Sequence, residues 1–164
     1  MFRVVVYAFC CLFSSLAPGC VFSGRAGVVG TVRGLSDLGA EGLAEGLAGR
    51  ICGRGVCSAG LRATGGFFGR EPVASVAGKI ETMWFFRSNA AVAGLMGGPR
   101  FVGDQGGFVF EAYLMAFEPV PFSSPVGNLG AGIVAGWGTG DEAVRGGWFG
   151  VGLFWEFADI FSWK

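Results

Sequence analysis

Histidine is absent from the 164-residue chain. That absence removes mechanisms that rely on an imidazole base, and with them most zinc, haem and copper sites. Lysine occurs only at Lys79 and Lys164, asparagine only at Asn89 and Asn128, and glutamine only at Gln105. Charged residues make up 15% of the chain, whereas an ordinary soluble surface carries roughly 25–35%. The 12 basic and 12 acidic residues cancel, so no net field draws the chain to nucleic acid. No nucleophile, base and orienting partner can be assembled from what is left. The expectation is a non-enzymatic protein with no catalytic residue, no cofactor, no metal site and no small-molecule substrate.

What is abundant is apolar or small. Glycine supplies 32 residues and hydrophobic residues 52%, with a mean hydropathy of +0.56; the usual glycine share is about 7%. The depleted residue types have A- or C-rich codons and the abundant ones G- and T-rich codons. Such a strand-skewed coding sequence arises in an organelle genome or in a reading frame never selected as protein.

The chain divides into residues 1–24 and a single glycine-rich, membrane-associated region, 25–164. Residues 4–24 carry no charge and follow a lone Arg3. This stretch reads equally as a membrane anchor and as a cleaved export signal, and Leu16-Ala17-Pro18-Gly19-Cys20 weakly resembles a lipoprotein cleavage site. Over 28–51, Val28, Val32, Leu35, Leu38, Leu43, Leu47 and Ile51 recur at mostly three- and four-residue steps, which predicts a helix. Within it Glu41-Gly42-Leu43-Ala44 is echoed as Glu45-Gly46-Leu47-Ala48, and Gly42 and Gly46 would line one helical face with small residues. A second helix is predicted from Pro72 to Leu95, and a last one from Asp141-Glu142 through Val144, Trp148, Val151 and Trp155. Residues 107–117 fit strand or helix, since Phe108, Phe110, Ala112 and Leu114 alternate. Trp155, Phe157, Phe161 and Trp163 also alternate, as on one face of a strand. The fold class expected from these patterns is mainly α, with irregular linkers and little regular structure.

Motifs that would carry chemistry fail on spacing. Cysteines stand at 10, 11, 20, 52 and 57, an odd count without a framework, and Cys52 and Cys57 read as ordinary thiols in a linker. Gly78-Lys79 is followed by Ile80 rather than Ser or Thr, so no phosphate loop forms. The acids Glu156 and Asp159 read as markers of a water-facing edge beside an aromatic belt. Trp148, Phe149, Phe154, Trp155, Phe157, Phe161 and Trp163 are the candidate interface to lipid or to partner subunits.

Met96-Gly97-Gly98-Pro99-Arg100-Phe101-Val102-Gly103-Asp104-Gln105-Gly106 resembles a Met…Gly-Pro-x-x-Val-Gly-x-x-Gly loop of subunit 1 of mitochondrial NADH dehydrogenase. In that family the loop follows the first membrane helix, and the subunit lines a quinone chamber. The match covers about a dozen residues, lacks the family's charged residues before the loop, and transfers no functional residue. The function expected first is therefore that of a structural, non-catalytic small subunit of a large membrane-associated organellar complex, at the mitochondrial inner membrane. Its partners would be other subunits and lipid. The alternative is an exported lipoprotein or small outer-membrane protein of a bacterial envelope; a further one is an incidental reading frame with no evolved function.

Overall fold

The computed structural model describes residues 20–33, 37–53, 55–86, 89–117 and 128–161; the side chains of 20–22, 37 and 157–161 lie outside that description. Eight strands follow one another: β1 (Cys20–Arg33), β2 (Asp37–Cys52), β3 (Gly55–Phe68), β4 (Glu71–Phe85), β5 (Ala90–Val102), β6 (Gln105–Phe117), β7 (Asn128–Gly140) and β8 (Gly146–Phe161). Each pairs antiparallel with its sequence neighbour, and β8 returns to pair with β1, from Cys20 opposite Phe161 to Val32 opposite Phe149. The result is a closed barrel.

The mainly α expectation is thus overturned: the described residues contain no helix, and none that could cross a membrane. The helices expected over 28–51 and 72–95 are the hairpin arms β1–β2 and β4–β5, the last one is β8, and the alternating stretch 107–117 is strand β6. The reason is arithmetic. A four-residue step returns to the same face of a helix, but it also spans two full periods of a strand. In β2, Glu41, Leu43, Glu45 and Leu47 are buried while Gly42, Ala44 and Gly46 are exposed. The tandem echo is therefore a strand whose inner face alternates acid and leucine and whose outer face carries only small residues.

Glycine serves the turns and the crowded interior. Gly69 and Gly103, with φ of 62° and 61°, follow the ends of β3 and β5 and precede Arg70 and Asp104 in two-residue connections. This is the glycine-first arrangement that matches strand twist. The segment resembling the respiratory-subunit loop is the end of β5, this tight turn and the start of β6. Opposite Pro99 the β4–β5 ladder is interrupted between Ser75↔Arg100 and Gly78↔Gly97, since proline offers no N–H to it. Cys52 and Cys57 form a disulfide across the end of the β2–β3 hairpin, which corrects their reading as linker thiols. Residues 1–24 overlap the barrel, because β1 begins at Cys20; the segment before it lies outside the described residues.

Two expectations follow. Far-UV circular dichroism of the folded chain shows the single minimum of β structure, not the double minimum of helix. Gly94→Ala places a methyl group against the Tyr113 ring and the Ile80 carbonyl and destabilises the barrel by about 1–3 kcal/mol, read as a lowered urea midpoint in detergent.

Candidate functional site

Strand alternation sorts side chains by chemistry to an unusual degree. The buried charged residues are Arg25, Glu41, Glu45, Arg62, Lys79, Glu81, Arg100, Glu111 and Glu156, all from strand interiors and all pointing into the barrel. Among the described side chains, the sole charge on the outer face of the strands is Arg50, near the end of β2; Asp159 of β8 lies outside that description. The remaining outer wall is apolar. Val28, Leu61, Val76, Ile80, Leu95, Leu114, Ile133, Val151 and Leu153 are exposed around its middle. Trp84, Phe85, Phe86 and Trp155 are exposed toward the end that holds the start of β1, and Phe67, Phe101, Phe108, Trp137 and Phe149 toward the other. An aliphatic band between two aromatic rings is the pattern of a barrel in lipid. The shortest strands have 13 residues; at about 3.3 Å per residue and a tilt of 35–45° they stand roughly 30–35 Å tall, above the ~25 Å of an apolar belt.

Inside, the charges form one network centred on Arg25. Its Nη1 donates to Glu45 Oε2 at 2.9 Å and to Glu81 Oε2 at 3.0 Å, and its Nη2 donates to Glu156 Oε1 at 2.8 Å. Lys79 Nζ donates to Glu45 Oε2 at 2.6 Å and lies 3.1 Å from Glu81 Oε2. The Tyr113 hydroxyl donates to Glu81 Oε2 at 2.6 Å, and the Lys79 ammonium sits 4.5 Å from the centre of the Tyr113 ring. One level along the axis, Arg100 holds Glu41 with both terminal guanidinium nitrogens, Nη1 and Nη2. Thr64 donates to the same carboxylate at 3.1 Å and shares a 2.7 Å hydrogen bond with Ser75. Arg62 is held more loosely, 3.7 Å from Glu45 and 3.6 Å from Glu111, with Nη1 3.1 Å from the Met96 sulfur.

Removing charges from water costs several kcal/mol per ion unless partners and hydrogen bonds compensate. Here every strand except β7 contributes partners that only a closed sheet brings together: Arg25 and Glu156 are 131 positions apart. Aromatic rings add to this, with Phe117 5.2 Å from the Arg25 guanidinium and Trp148 5.3 Å from that of Arg100. Apolar layers close the network on both sides. Met83, Val92, Met115, Phe117 and Phe154 pack toward one end, and Val73, Val102, Val109 and Val144 toward the other. The lumen is a filled core, as expected for eight strands. The described residues hold no cluster of His, Cys, Asp or Glu that could bind a metal.

The candidate interface set divides by parity. Phe149 and Trp155 lie on the outer wall, whereas Phe154 is buried in the lumen and Trp148 is half-buried against Arg100. Phe157 and Phe161 belong to β8 with side chains outside the description, and Trp163 lies beyond the described residues. Glu156, expected at a water-facing edge, is instead an inner ligand of Arg25. Asp141 starts no helix; it accepts a hydrogen bond from the Gly106 amide at 2.8 Å. The network escaped sequence reading although its signal was present: Glu41/Glu45 and Lys79/Glu81 keep one parity while their neighbours at odd steps are small or apolar.

No family model matches the chain, and no curated protein is similar to it in sequence. A solved structure is similar: the crystal structure of Neisserial surface protein A, with a TM-score of 0.53, 9% identity, and coverage of 85% of this chain and 99% of that one. At this identity the likeness shows the fold, an eight-stranded antiparallel barrel. The expectation of a mitochondrial subunit with transmembrane helices is corrected accordingly.

Arg25→Ala leaves three buried glutamates short of a cation and lowers stability by about 3–5 kcal/mol. Arg62→Ala, which removes two long ion pairs and a contact to the Met96 sulfur, gives a distinctly smaller loss. Urea titrations of both variants in the same detergent check the order.

Proposed function

We propose that this chain is a small integral β-barrel of a bacterial outer membrane, a non-enzymatic structural protein whose partners are lipids and neighbouring envelope components. The observation that carries this reading is the inversion of the fold: among the described side chains, nine ionic ones are buried inside and the strands' outer wall carries only one charge, Arg50. In water such a wall would be a very large apolar patch on all sides. In lipid, closure satisfies every strand's backbone polar groups and leaves no edge. The same sorting by parity argues against an incidental reading frame, in which charges would fall on both faces.

Other features support the envelope. The Cys52–Cys57 disulfide suits an oxidising compartment. The uncharged run after Arg3 suits an export signal. Likeness of the barrel to that of Neisserial surface protein A supports a place at the cell surface.

Expressed with its leader in a Gram-negative host, the protein is expected in the outer-membrane fraction, migrating faster on a gel unheated than boiled. Recovery as a soluble monomer would overturn the reading. Position on the wall supplies a finer check. Leu153→Arg, in the middle of the band, should cost about 2–4 kcal/mol in lipid vesicles, while Phe149→Arg, near the rim, should cost about 0–1 kcal/mol.

A further inference from the structure

The connection between β7 and β8 differs from the tight turns on the same end of the barrel. Asp141, Glu142 and Arg145 stay exposed at the rim, but Val144 turns inward: it is 5% exposed and packed on Val73, Val102 and Val109. Gly140 and Gly146 flank the segment with φ of 114° and 111°, a backbone that lets the chain turn into the mouth and out again. Gly107 leaves room for the valine, since a Cβ there would meet the Val144 side chain.

A separate set of bonds holds the segment down. Arg33, from the end of β1, donates to the Ala143 carbonyl at 2.6 Å, to that of Glu142 at 2.8 Å, and to that of Arg145. The Gln105 side-chain oxygen accepts the Ala143 amide at 2.8 Å, and Asp141 accepts the Gly106 amide. Three carbonyls on one guanidinium is a charge-assisted clasp. It involves no carboxylate and takes no part in the inner ion network.

We propose that segment 141–145 is a plug latched by Arg33, and that its release opens this mouth of the barrel to small water-soluble molecules. Directly under the valine layer, two residues along β4 and β5 from Val73 and Val102, stand Ser75 and Arg100, the first polar level of the lumen. Latch and plug depend on the barrel and not on its placement in a membrane.

The test is the accessibility of a thiol below the plug. Ser75→Cys is made in the full chain with Cys10, Cys11 and Cys20 replaced by serine, and refolded in detergent micelles. The probe is aminoethyl methanethiosulfonate, a small cation. With the latch intact, labelling should be at least tenfold slower than at Asp104→Cys in the exposed β5–β6 turn. Adding Arg33→Ala should raise the Ser75→Cys rate at least tenfold, and Val144→Asp should do the same through the plug itself. Equal rates with and without Arg33→Ala would overturn the latch. Labelling of Ser75→Cys as fast as the turn cysteine, with Arg33 in place, would overturn the plug without any latch variant having to fold. Because micelles replace the bilayer, neither result depends on where the protein resides.

Discussion

Closure of β8 onto β1 is the constraint on which the rest of the structure depends. A strand presents alternate residues to opposite faces, and in an open sheet either face can meet water. Once the sheet closes, one parity of each strand is enclosed and the other forms the wall. The buried charges among the described side chains obey that division, from Arg25 in β1 to Glu156 in β8. Closure also removes the unpaired edges that would otherwise have to be solvated or covered. The glycine-rich sequence, poor in helix formers, loses less in this arrangement than in a helix, because neighbouring strands supply the hydrogen bonds and glycines admit large inner side chains. Gly94 shows the exchange: its missing side chain lets the Tyr113 phenol cross β5 toward Glu81.

The interior then resembles an inverted protein core. Salt bridges that would be weak on a surface become specific here, because leaving any partner unpaired is costly. Arg25 ties β1 to β2, β4 and β8 at once through Glu45, Glu81 and Glu156. Hydrophobic packing holds the ends, and ionic pairing defines the middle. A barrel built this way gains its register from buried polar partners as well as from hydrophobic patterning, since a one-residue slip of any strand that carries an inner charge would turn that charge to the outer wall. The Arg33 clasp on 141–145 stands outside that scheme. It fastens a loop to the rim through backbone carbonyls, so it can open without disturbing the pairs below.

Several expectations from the sequence survive in altered form. The alternation of Phe108, Phe110, Ala112 and Leu114 is the outer face of β6, and the odd-numbered aromatics near the end of the chain follow a strand period. Scarcity of charge and wealth of apolar residues point to a lipid or partner environment. The helices failed because Val28/Val32, Leu43/Leu47 and Gly42/Gly46 are four apart, a spacing that a helix and a strand both place on one face. Cys52 and Cys57 looked unpaired because five cysteines give no framework, yet a hairpin end places them side by side.

By itself, then, the sequence determined the chemistry of the environment: too little charge for an aqueous surface, no histidine-based catalysis, and glycines where the chain must turn tightly. It also carried the parity of each strand, since Glu41 with Glu45 and Lys79 with Glu81 are locked to common faces by their spacing alone. Tertiary structure alone decided which face is inside. Inside and outside are properties of a closed sheet, and no local stretch contains the contact between β1 and β8 that closes it. For the same reason only the fold could show that Arg25 meets a glutamate 131 positions away, because the energy of that buried pair exists only once the ring is complete.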